Sequence, residues 1–393
     1  MSFIYKYENI INLLIFITAV ILIVMRHVDF FISPRFWAEE ATQYFYDAYM
    51  NGPSALVQAH KGYYSIVPTV SAYFATLVPL EHAPLVTTIF AFFVQVIPFY
   101  LIYISRSEYF NTSLKKLLAS LIILFVVHTP EIWLNAITSQ FHFVIIVFIL
   151  LLENKDNIPK SKRYWFYFLT LVSGLSGVPA NILAPLFLYN YLITKQKENL
   201  YLFGIFILTT SIHLVFILTA DRIGQIHDDI TFYVIGNIFV SLFQYPIFYS
   251  WKIGIETIII LPLFYIIIKC LSPKKYFEIF FVSAFLLTTI MILTSWGMKG
   301  GIRYMYAPSI IMILGLLVAI FDISLSKVTR GVLGIYVALA LFSGIKNFPL
   351  IDGQFYSKNW KNWHDQALLY KAHKVDKIVL YPPMFKISLP RKQ

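Results

Sequence analysis

The feature that most constrains this chain is a series of apolar runs that approach the roughly 20 residues needed to cross a bilayer as an α-helix. Only 13% of its 393 residues are charged, against about 25% in an ordinary soluble domain, and its mean hydropathy is +0.71. The sequence therefore predicts an all-α polytopic membrane protein with about eleven transmembrane helices. The runs lie near residues 8–26, 83–105, 117–129, 136–152, 164–177, 180–194, 200–219, 252–270, 277–295, 303–322 and 331–346.

The Lys and Arg residues predict an orientation for these helices. With a cytoplasmic N-terminus, and with 232–249 treated as re-entrant or interfacial, the cytoplasmic segments hold fifteen basic residues and the outer segments seven. Because short cytoplasmic loops are enriched in Lys and Arg, this orientation is favoured, and it places the C-terminus outside. A transmembrane assignment for 232–249 stays open, since it would reverse everything after it. The net charge of +11 is then explained by these loops and by anionic headgroups rather than by nucleic-acid binding.

Two long outer segments divide the chain. The first, 27–81, interrupts a predicted transmembrane domain of residues 1–346, and the second is a C-terminal tail, 347–393. The tail is too small to be stable alone and is expected to dock on the membrane domain. No small-residue cleavage site follows the first apolar run, so we expect that run to remain as an uncleaved anchor. The single cysteine, Cys270, excludes an internal disulfide.

The first outer segment contains the stretch SPRFWAEEATQYFYDA, which has the pattern of an amphipathic helix. Ser33 is a suitable N-cap and Pro34 suits the first helical position. Apolar and polar side chains then recur at helical spacing on different faces, as in a helix that lies in the membrane interface. The polar face holds Glu39, Gln43 and Asp47, with Glu40 beside it, and the apolar face holds Trp37, Ala41, Tyr44, Phe45 and Ala48.

Two adjacent carboxylates at the edge of the hydrocarbon need an explanation. The chain has only 20 acidic residues, and ionisable groups at membrane depth are usually functional. Glu39 and Glu40 are therefore candidate catalytic residues, and Asp29 is a third acid in the same segment. The alternative is that Glu39 and Glu40 are ordinary solvated residues of an interfacial helix and that Asp29 is a hydrated helix-end residue.

Several stretches together resemble a known superfamily. FWAEE, followed by YFYDAYMNG and KGYYSIVPTVSAYFATLVP, resembles the first extracytoplasmic loop of bacterial GT-C glycosyltransferases. These polytopic enzymes are related in architecture to protein mannosyltransferases and aminoarabinose transferases. PEIWLNAITSQFHF resembles the segment that enters their fourth span, GGIRYMYAP an Arg-Tyr motif on a late span, and KIVLYPPMFKISL a short tail after the last span.

The resemblance implies roles for particular residues. In that superfamily an acid after the first span, often within an Asp-Glu pair, is the catalytic carboxylate. Here Glu39 or Glu40 would serve, with Asp29 assisting, and the choice between the two glutamates is open because this chain has Glu-Glu. For each basic candidate the alternative is an anchor that snorkels to headgroups. The substrate-binding candidates are Arg303, Lys299, Arg35, Lys61, Tyr63 and Tyr304.

The activity implied is transfer of a sugar from a polyprenyl-phosphate donor to a cell-surface glycan or lipid, such as O-antigen or another surface polysaccharide, at the outer face of the bacterial inner membrane. One general base suffices because phosphate is a good leaving group, and direct displacement would invert the anomeric centre, by analogy with inverting hydrolases. Expected partners are a synthase that makes the donor and a flippase that delivers it.

Two alternatives remain at this point. A surface-polysaccharide polymerase also has about a dozen spans but would more naturally show Arg-rich outer loops. A lipid-linked glycan flippase or transporter would show polar groups in mid-span, whereas here they collect at the outer ends. No metal ligands are assigned, because His60 and His227-Asp228-Asp229 lack a defined ligand spacing. A divalent cation stays open, since some GT-C relatives use one and others do not.

Overall fold

The computed structural model describes residues 2–126, 129–156, 158–220, 242–248, 255–260, 263, 265, 275–294, 302–348, 361–380 and 385–390. This part is mostly helical. Lys299, Cys270, residues 227–229 and most of 232–249 and 252–270 lie outside it. The α-helices are α1 (Ser2–Arg26), α2 (Asp29–Ile32), α3 (Tyr46–Asn51), α4 (Ile66–Ala75), α5 (Ala83–Ile104), α6 (Ser113–Phe125), α7 (Ser139–Leu152), α8 (Lys160–Gly174), α9 (Ala184–Thr194), α10 (Lys197–Thr219), α11 (Lys275–Thr294), α12 (Tyr306–Ile320), α13 (Lys327–Lys346) and α14 (Trp363–Lys371).

Shorter elements connect these helices. A π-helical turn, Glu40–Phe45, leads into α3, and 3₁₀ turns at Pro130–Ile132, Pro179–Leu183 and Ile302–Met305 precede α7, α9 and α12. Other 3₁₀ turns lie at Gly52–Val57, Leu80–His82 and Glu108–Phe110. In the tail, β1 (Ile378–Val379) pairs antiparallel with β2 (Lys386–Ile387), with Ile378 opposite Ile387.

Several helices are long and apolar enough to span a membrane, which confirms an all-α membrane protein. Within the described residues there are five, so the predicted count of eleven is not reached. Shorter apolar helices at Ile66–Ala75, Ser139–Leu152 and Glu278–Ile290 accompany them. The five are Tyr7–Arg26, Leu80–Ile104, Lys197–Thr219, Arg303–Ile320 and Lys327–Lys346.

Four of the six missing spans have a geometric cause. Of the other two, 252–270 lies mostly outside the described residues, and 277–295 forms α11, of which the apolar stretch Glu278–Ile290 is shorter than a span. The runs near 117–129, 136–152, 164–177 and 180–194 do form helices, but α6, α7, α8 and α9 have 13, 14, 15 and 11 residues. At 1.5 Å per residue these helices rise only ~16–23 Å, less than the ~30 Å hydrocarbon thickness. Turns and 3₁₀ segments take up the remaining apolar residues. Apolar length in the sequence therefore overestimates the number of full-length helices.

The core of the bundle is built around α7 and α12. Nearly every side chain of both helices is buried, including Phe143, Phe148 and Ile310. By contrast, α1, α10 and α13 expose many large apolar side chains, as expected for helices that face lipid. The C-terminal end of α1 and the N-terminal ends of α5, α7 and α12 lie at one end of the bundle, because the segments 37–40, 129–138 and 302–305 contact one another there.

One close helix contact depends on a glycine. Gly344, in α13, packs so tightly that a Cβ atom there would collide with the backbone carbonyl of Phe125 at the end of α6. We expect Gly344→Ala to destabilise the protein by about 1–3 kcal/mol, since backbone must shift to admit the methyl group. Gly334→Ala in the same helix meets nothing within 4 Å and is the matched control, expected to be neutral or slightly stabilising. Unfolding midpoints in detergent compare the two, and equal destabilisation would contradict the contact.

The helix predicted in the first outer segment is present in part. Its apolar face, including Trp37, Ala41 and Phe45, is buried. The predicted start at Ser33 and Pro34 is wrong, because Ser33 ends α2 and the helical turns begin near Glu40. Ala38 has a positive φ of 40°, which breaks any continuous helix from Pro34.

The described part of the tail packs against the first outer segment. The indole of Trp363 meets Phe36 edge-on at 5.0 Å between ring centroids, and its Nε1 donates to the carbonyl oxygen of Leu80 at 2.9 Å. Lys371 forms an ion pair with Glu81. These contacts bring α14 beside the start of α5.

Candidate functional site

Glu39 is the most accessible carboxylate of the predicted pair. Its Oε1 accepts a hydrogen bond from Lys61 Nζ at 2.6 Å, and the two side chains are 28% and 47% exposed. Burial alone would raise the pKa of Glu39, but the Lys61 hydrogen bond and the positive charges of Lys61 and Arg303 hold it below its ordinary value. Glu39 is therefore ionised at neutral pH and lies within the electrostatic reach of two cations.

A tight turn presents Lys61. His60 and Tyr63 exchange two backbone hydrogen bonds of 3.2 Å, and the two residues between them have positive φ, 52° for Lys61 and 77° for Gly62. This is the arrangement of a type I′ turn, in which glycine suits the second position. His60 Nδ1 lies 3.5 Å from Asp47 of α3. This contact holds the turn against the helix that follows Glu39 and its π-helical turn.

Arg303 and Glu131 form a second ion pair at the same place. Arg303 Nη1 lies 3.6 Å from Glu131 Oε2, with the side chains 33% and 24% exposed. Burial raises the pKa of Glu131, and Arg303 partly offsets this through its charge and its backbone N–H. Both residues stand in 3₁₀ turns just before buried helices, so two rigid elements hold them.

Glu40 has a different environment from Glu39. It is 1% exposed, with Oε2 accepting the N–H of Trp37 at 3.0 Å and Oε1 accepting the N–H of Ala136 at 2.9 Å. The predicted position of Glu40 beside the exposed polar face is therefore wrong. Glu40 also donates its own N–H to the Trp37 carbonyl, so its backbone and its side chain both bind Trp37 across the turn at Ala38. The π-helical turn that follows carries the side chain into the interior.

Burial has a large effect on this carboxyl group. It raises the pKa of Glu40 to about 7, against the opposing effect of hydrogen bonds from Trp37, Ala136 and Thr87. Both carboxylate oxygens are occupied by backbone donors, so Glu40 has little freedom to reach a ligand. Its contacts instead join the first outer segment to the segment 129–138.

Buried side chains fix the 129–138 segment from the helix side. Gln95 of α5 donates to the Ile132 carbonyl at 3.2 Å and accepts from Leu134 N–H at 3.2 Å. His142 of α7 contacts the same Ile132 carbonyl at 3.1 Å. The segment that carries Glu131 is thus held by at least two helices and by Glu40.

Strained backbone gathers around the same groups. Five non-glycine residues of the described chain have positive φ, and three of them border the site, namely Ala38 beside Glu39, Lys61 itself and Leu134. Such conformations are costly and are found most often at functional sites. Together with the four partly exposed charges, this marks the cluster of Glu39, Lys61, Glu131 and Arg303 as the candidate site.

Other predicted residues lie around this cluster without joining it. Asp29 begins α2 and, in the described part of the chain, its side chain makes neither an ion pair nor a hydrogen bond to Glu39 or Glu40. Arg35 is half-buried in the connection after α2. Tyr304 lies 5.5 Å beneath the Arg303 guanidinium and could position it. Tyr63 closes the Lys61 turn, and Lys299 lies outside the described residues.

Sequence reasoning missed Glu131. The signal was available, because Glu131 is an isolated acid at the end of an apolar run, which was the argument applied to Glu39. Gln95 was also missed, and it is a polar residue near the middle of a span. Neither the Glu39–Lys61 pair, 22 residues apart, nor the Glu131–Arg303 pair, 172 residues apart, follows from local patterns.

The arrangement combines two carboxylates with two cations in a partly closed setting. Lys61 and Arg303 can bind an anionic group such as a phosphate, Arg303 through a two-pronged guanidinium. Glu39 can accept a proton once a competing anion loosens its bond to Lys61. Among the described residues no group of three or more metal-ligating side chains is found, and the divalent cation stays an open expectation.

Comparison of the chain with protein-family models finds no match. No curated protein and no solved structure matches it either. The resemblance to GT-C glycosyltransferases therefore rests on the sequence stretches quoted above.

Proposed function

We propose that the chain is a membrane glycosyltransferase that moves a sugar from a polyprenyl-phosphate donor to a cell-surface glycan or lipid acceptor at the outer face of the bacterial inner membrane. The observation that carries the proposal is the paired cluster of Glu39 with Lys61 and Arg303 with Glu131 at one end of an apolar helical bundle. The phosphate of a lipid-linked sugar lies at the headgroup level of the membrane, which is the level expected for a charged cluster at the end of an apolar bundle. The proposed orientation has a cytoplasmic N-terminus and an outer C-terminus.

Glu39 is proposed as the general base and Glu40 as a positioning residue. Glu39 is partly exposed and pairs with the side chain of Lys61, whereas Glu40 is buried with both oxygens held by backbone N–H groups of other residues. The base removes the proton of the acceptor hydroxyl as that oxygen attacks the anomeric carbon. The bond from this carbon to the phosphate oxygen breaks, and the leaving phosphate keeps the electron pair.

The cations have a double role in this mechanism. A donor phosphate that binds Lys61 and Arg303 replaces the carboxylates that pair with them in the free protein. Glu39 then loses the hydrogen bond that lowers its pKa and becomes a stronger base, closer to the basicity that favours proton transfer at neutral pH. The same cations stabilise the charge that develops on the leaving phosphate.

Replacement of Arg303 tests the phosphate role. Loss of a charged hydrogen-bonding partner is worth about 1.5–3 kcal/mol, so we expect Arg303→Ala to weaken binding of a short-chain polyprenyl phosphate by roughly 10- to 100-fold. Arg303→Lys keeps the charge and should lose less. Native mass spectrometry of the purified protein in detergent, titrated with the lipid, measures the change.

Lys115→Ala is the matched control for this experiment. Lys115 contacts Glu108 and Asn111 and lies over the Phe321 ring, at the far end of the bundle, so its loss should leave binding unchanged. If the wild type and Arg303→Ala bound the polyprenyl phosphate equally tightly, the proposed role of Arg303 in phosphate binding would be contradicted.

A transporter is less well supported. It would need polar side chains that line a passage in mid-span. In the described helices, Gln95, Thr209 and His213 are buried polar residues, but each bonds to protein groups: Gln95 to the 129–138 backbone, Thr209 to Asn181 and His213 to the Gly174 carbonyl. The charge of the described cluster lies at one end of the bundle, which suits one-sided chemistry.

A further inference from the structure

Helix α14 has two faces of different character. Trp363, Gln366, Ala367 and Tyr370 recur at helical spacing and are buried against the first outer segment and the tail's own strands. Leu368 and Leu369 point away from this contact and are 45% and 41% exposed. Leu368 and Leu369 form a small exposed apolar pair on the side of α14 that the described part of the protein does not cover.

The position of α14 gives its depth relative to the membrane. Trp363 donates to the carbonyl of Leu80, the residue at which the Leu80–Ile104 span begins. His364 meets His82 with ring centroids 5.7 Å apart. The helix therefore rests on the first residues of a membrane span, where headgroups meet hydrocarbon.

The end of a second span lies beside it. Asn362, the N-cap of α14, donates to the Ser33 hydroxyl at 2.9 Å, and the neighbouring Ile32 is 75% exposed. Ile32 lies six residues after Arg26, at which the first span ends. Ile32 thus adds a third exposed apolar side chain, next to the residue that contacts the start of α14.

Basic side chains flank the two leucines. Residues 361–380 contain four lysines and two aspartates, Asp365 and Asp376. Lys371 pairs with Glu81, while Lys361, Lys374 and Lys377 are exposed, and in the described part of the chain no ion pair involves them. Exposed lysines beside apolar side chains are typical of a helix that lies on an anionic membrane surface.

We propose that α14 docks on the surface of the bilayer that holds the protein, with Leu368 and Leu369 among the upper acyl chains and Lys374 and Lys377 against the phosphates of anionic lipids. This interfacial surface, formed by Ile32, Leu368, Leu369, Lys374 and Lys377, is separate from the Glu39 cluster. The proposal therefore stands whether or not the chain is a glycosyltransferase. The tail docks on both the protein and the lipid, which explains how so short a segment is held in place.

The test uses the full-length protein in lipid nanodiscs. In a Cys270→Ser background, Leu368→Cys or Leu369→Cys is labelled with a polarity-sensitive fluorophore, and lipids brominated near the headgroup serve as quenchers. In discs of phosphatidylglycerol mixed with phosphatidylcholine, we expect brominated lipid to reduce the fluorescence about twofold, as for a side chain in the upper acyl region. In pure phosphatidylcholine, or with Lys374→Glu and Lys377→Glu, the quenching should be clearly weaker.

The remaining outcomes contradict the proposal. A probe that no brominated lipid quenches would show that α14 is not on the bilayer, and disulfide cross-linking of two Leu368→Cys copies would assign the leucine pair to a second copy of the chain. If the quenching were equal in both lipids and unchanged by the lysine substitutions, the proposed contact of Lys374 and Lys377 with anionic lipids would be contradicted. Two probe positions are used so that a local effect of one label does not decide the result.

Discussion

Glu39→Gln is expected to lower the rate of sugar transfer by about 10²–10⁴-fold, the usual contribution of a general base. The amide has nearly the same shape as the carboxylate but cannot accept the acceptor's proton. It also loses the ionic part of the bond to Lys61, which leaves Lys61 free for the phosphate, so donor binding should not weaken while the rate falls. The measurement is the consumption of the host's lipid-linked sugars by membrane vesicles that contain wild-type or variant protein.

Glu108→Gln is the matched control for this change. Glu108 is exposed and lies in the 3₁₀ turn Glu108–Phe110, beside Lys115 at the opposite end of the bundle from Glu39. The variant makes the same acid-to-amide replacement, and we expect it to keep a rate near that of the wild type. A Glu39→Gln protein that transfers sugar at the wild-type rate would contradict the role of Glu39 as the base.

Glu40→Gln is expected to remove a pH dependence of stability while leaving most of the transfer activity. Glu40 ionises near pH 4.5 when unfolded and near 7 when folded, so between these values the folded state holds more protons and stability falls as pH rises. At 1.36 kcal/mol per pKa unit, the loss is ~3 kcal/mol by pH 8. Glutamine does not ionise, but its side chain has only one acceptor oxygen, so the N–H group of either Trp37 or Ala136 loses its partner.

Glu40→Gln should therefore be less stable than the wild type at pH 5, by about 1–3 kcal/mol for the unsatisfied N–H group, and this gap should close towards pH 8 as the wild type loses stability. Unfolding by denaturing detergent, followed at several pH values, measures this difference. Glu39→Gln is the control, because a lowered pKa acts only near and below pH 4.5, where stability from Glu39 is lost as pH falls. Its slope between pH 5 and 8 should match the wild type. Parallel slopes for Glu40→Gln and wild type would contradict the burial of an ionisable Glu40.

The apolar face of the first outer segment could be predicted from sequence, but its boundaries could not. The spacing of Trp37, Ala41 and Phe45 correctly predicted that these side chains share an apolar face, since side-chain spacing is a local property. The face was predicted to lie in the membrane interface, whereas it packs inside the protein. The start of the helix depends on the positive φ of Ala38 and on the bond from Ala136 to Glu40. That bond comes from a segment almost a hundred residues away.

Most residues of the candidate site could be predicted from the sequence, but the ion pairs between them could not. Glu39 was singled out because charge is scarce at the edges of apolar runs, and this argument applied equally to Glu131. Lys61 and Arg303 were candidates because the resemblance implies a bound phosphate. Which acid meets which cation depends on how the 3₁₀ turns before α7 and α12 approach the first outer segment. Glu39 and Glu40 are neighbours in sequence but differ in burial, one partly exposed and the other buried. Tertiary contacts set this difference.

The central claim, that the chain transfers a sugar with Glu39 as its base, is tested most directly in cells. Surface glycans and lipid-linked intermediates are compared by mass spectrometry after deletion of the gene and after its restoration as wild type, Glu39→Gln or Glu40→Gln. The account predicts loss of one sugar with chain length intact, restored by wild type and Glu40→Gln but not by Glu39→Gln. Loss of polymer length would indicate a polymerase. If deletion makes an unchanged lipid-linked precursor accumulate in the cytoplasmic leaflet, and both Gln variants restore the wild-type pattern, the enzyme would be contradicted and a transporter would remain.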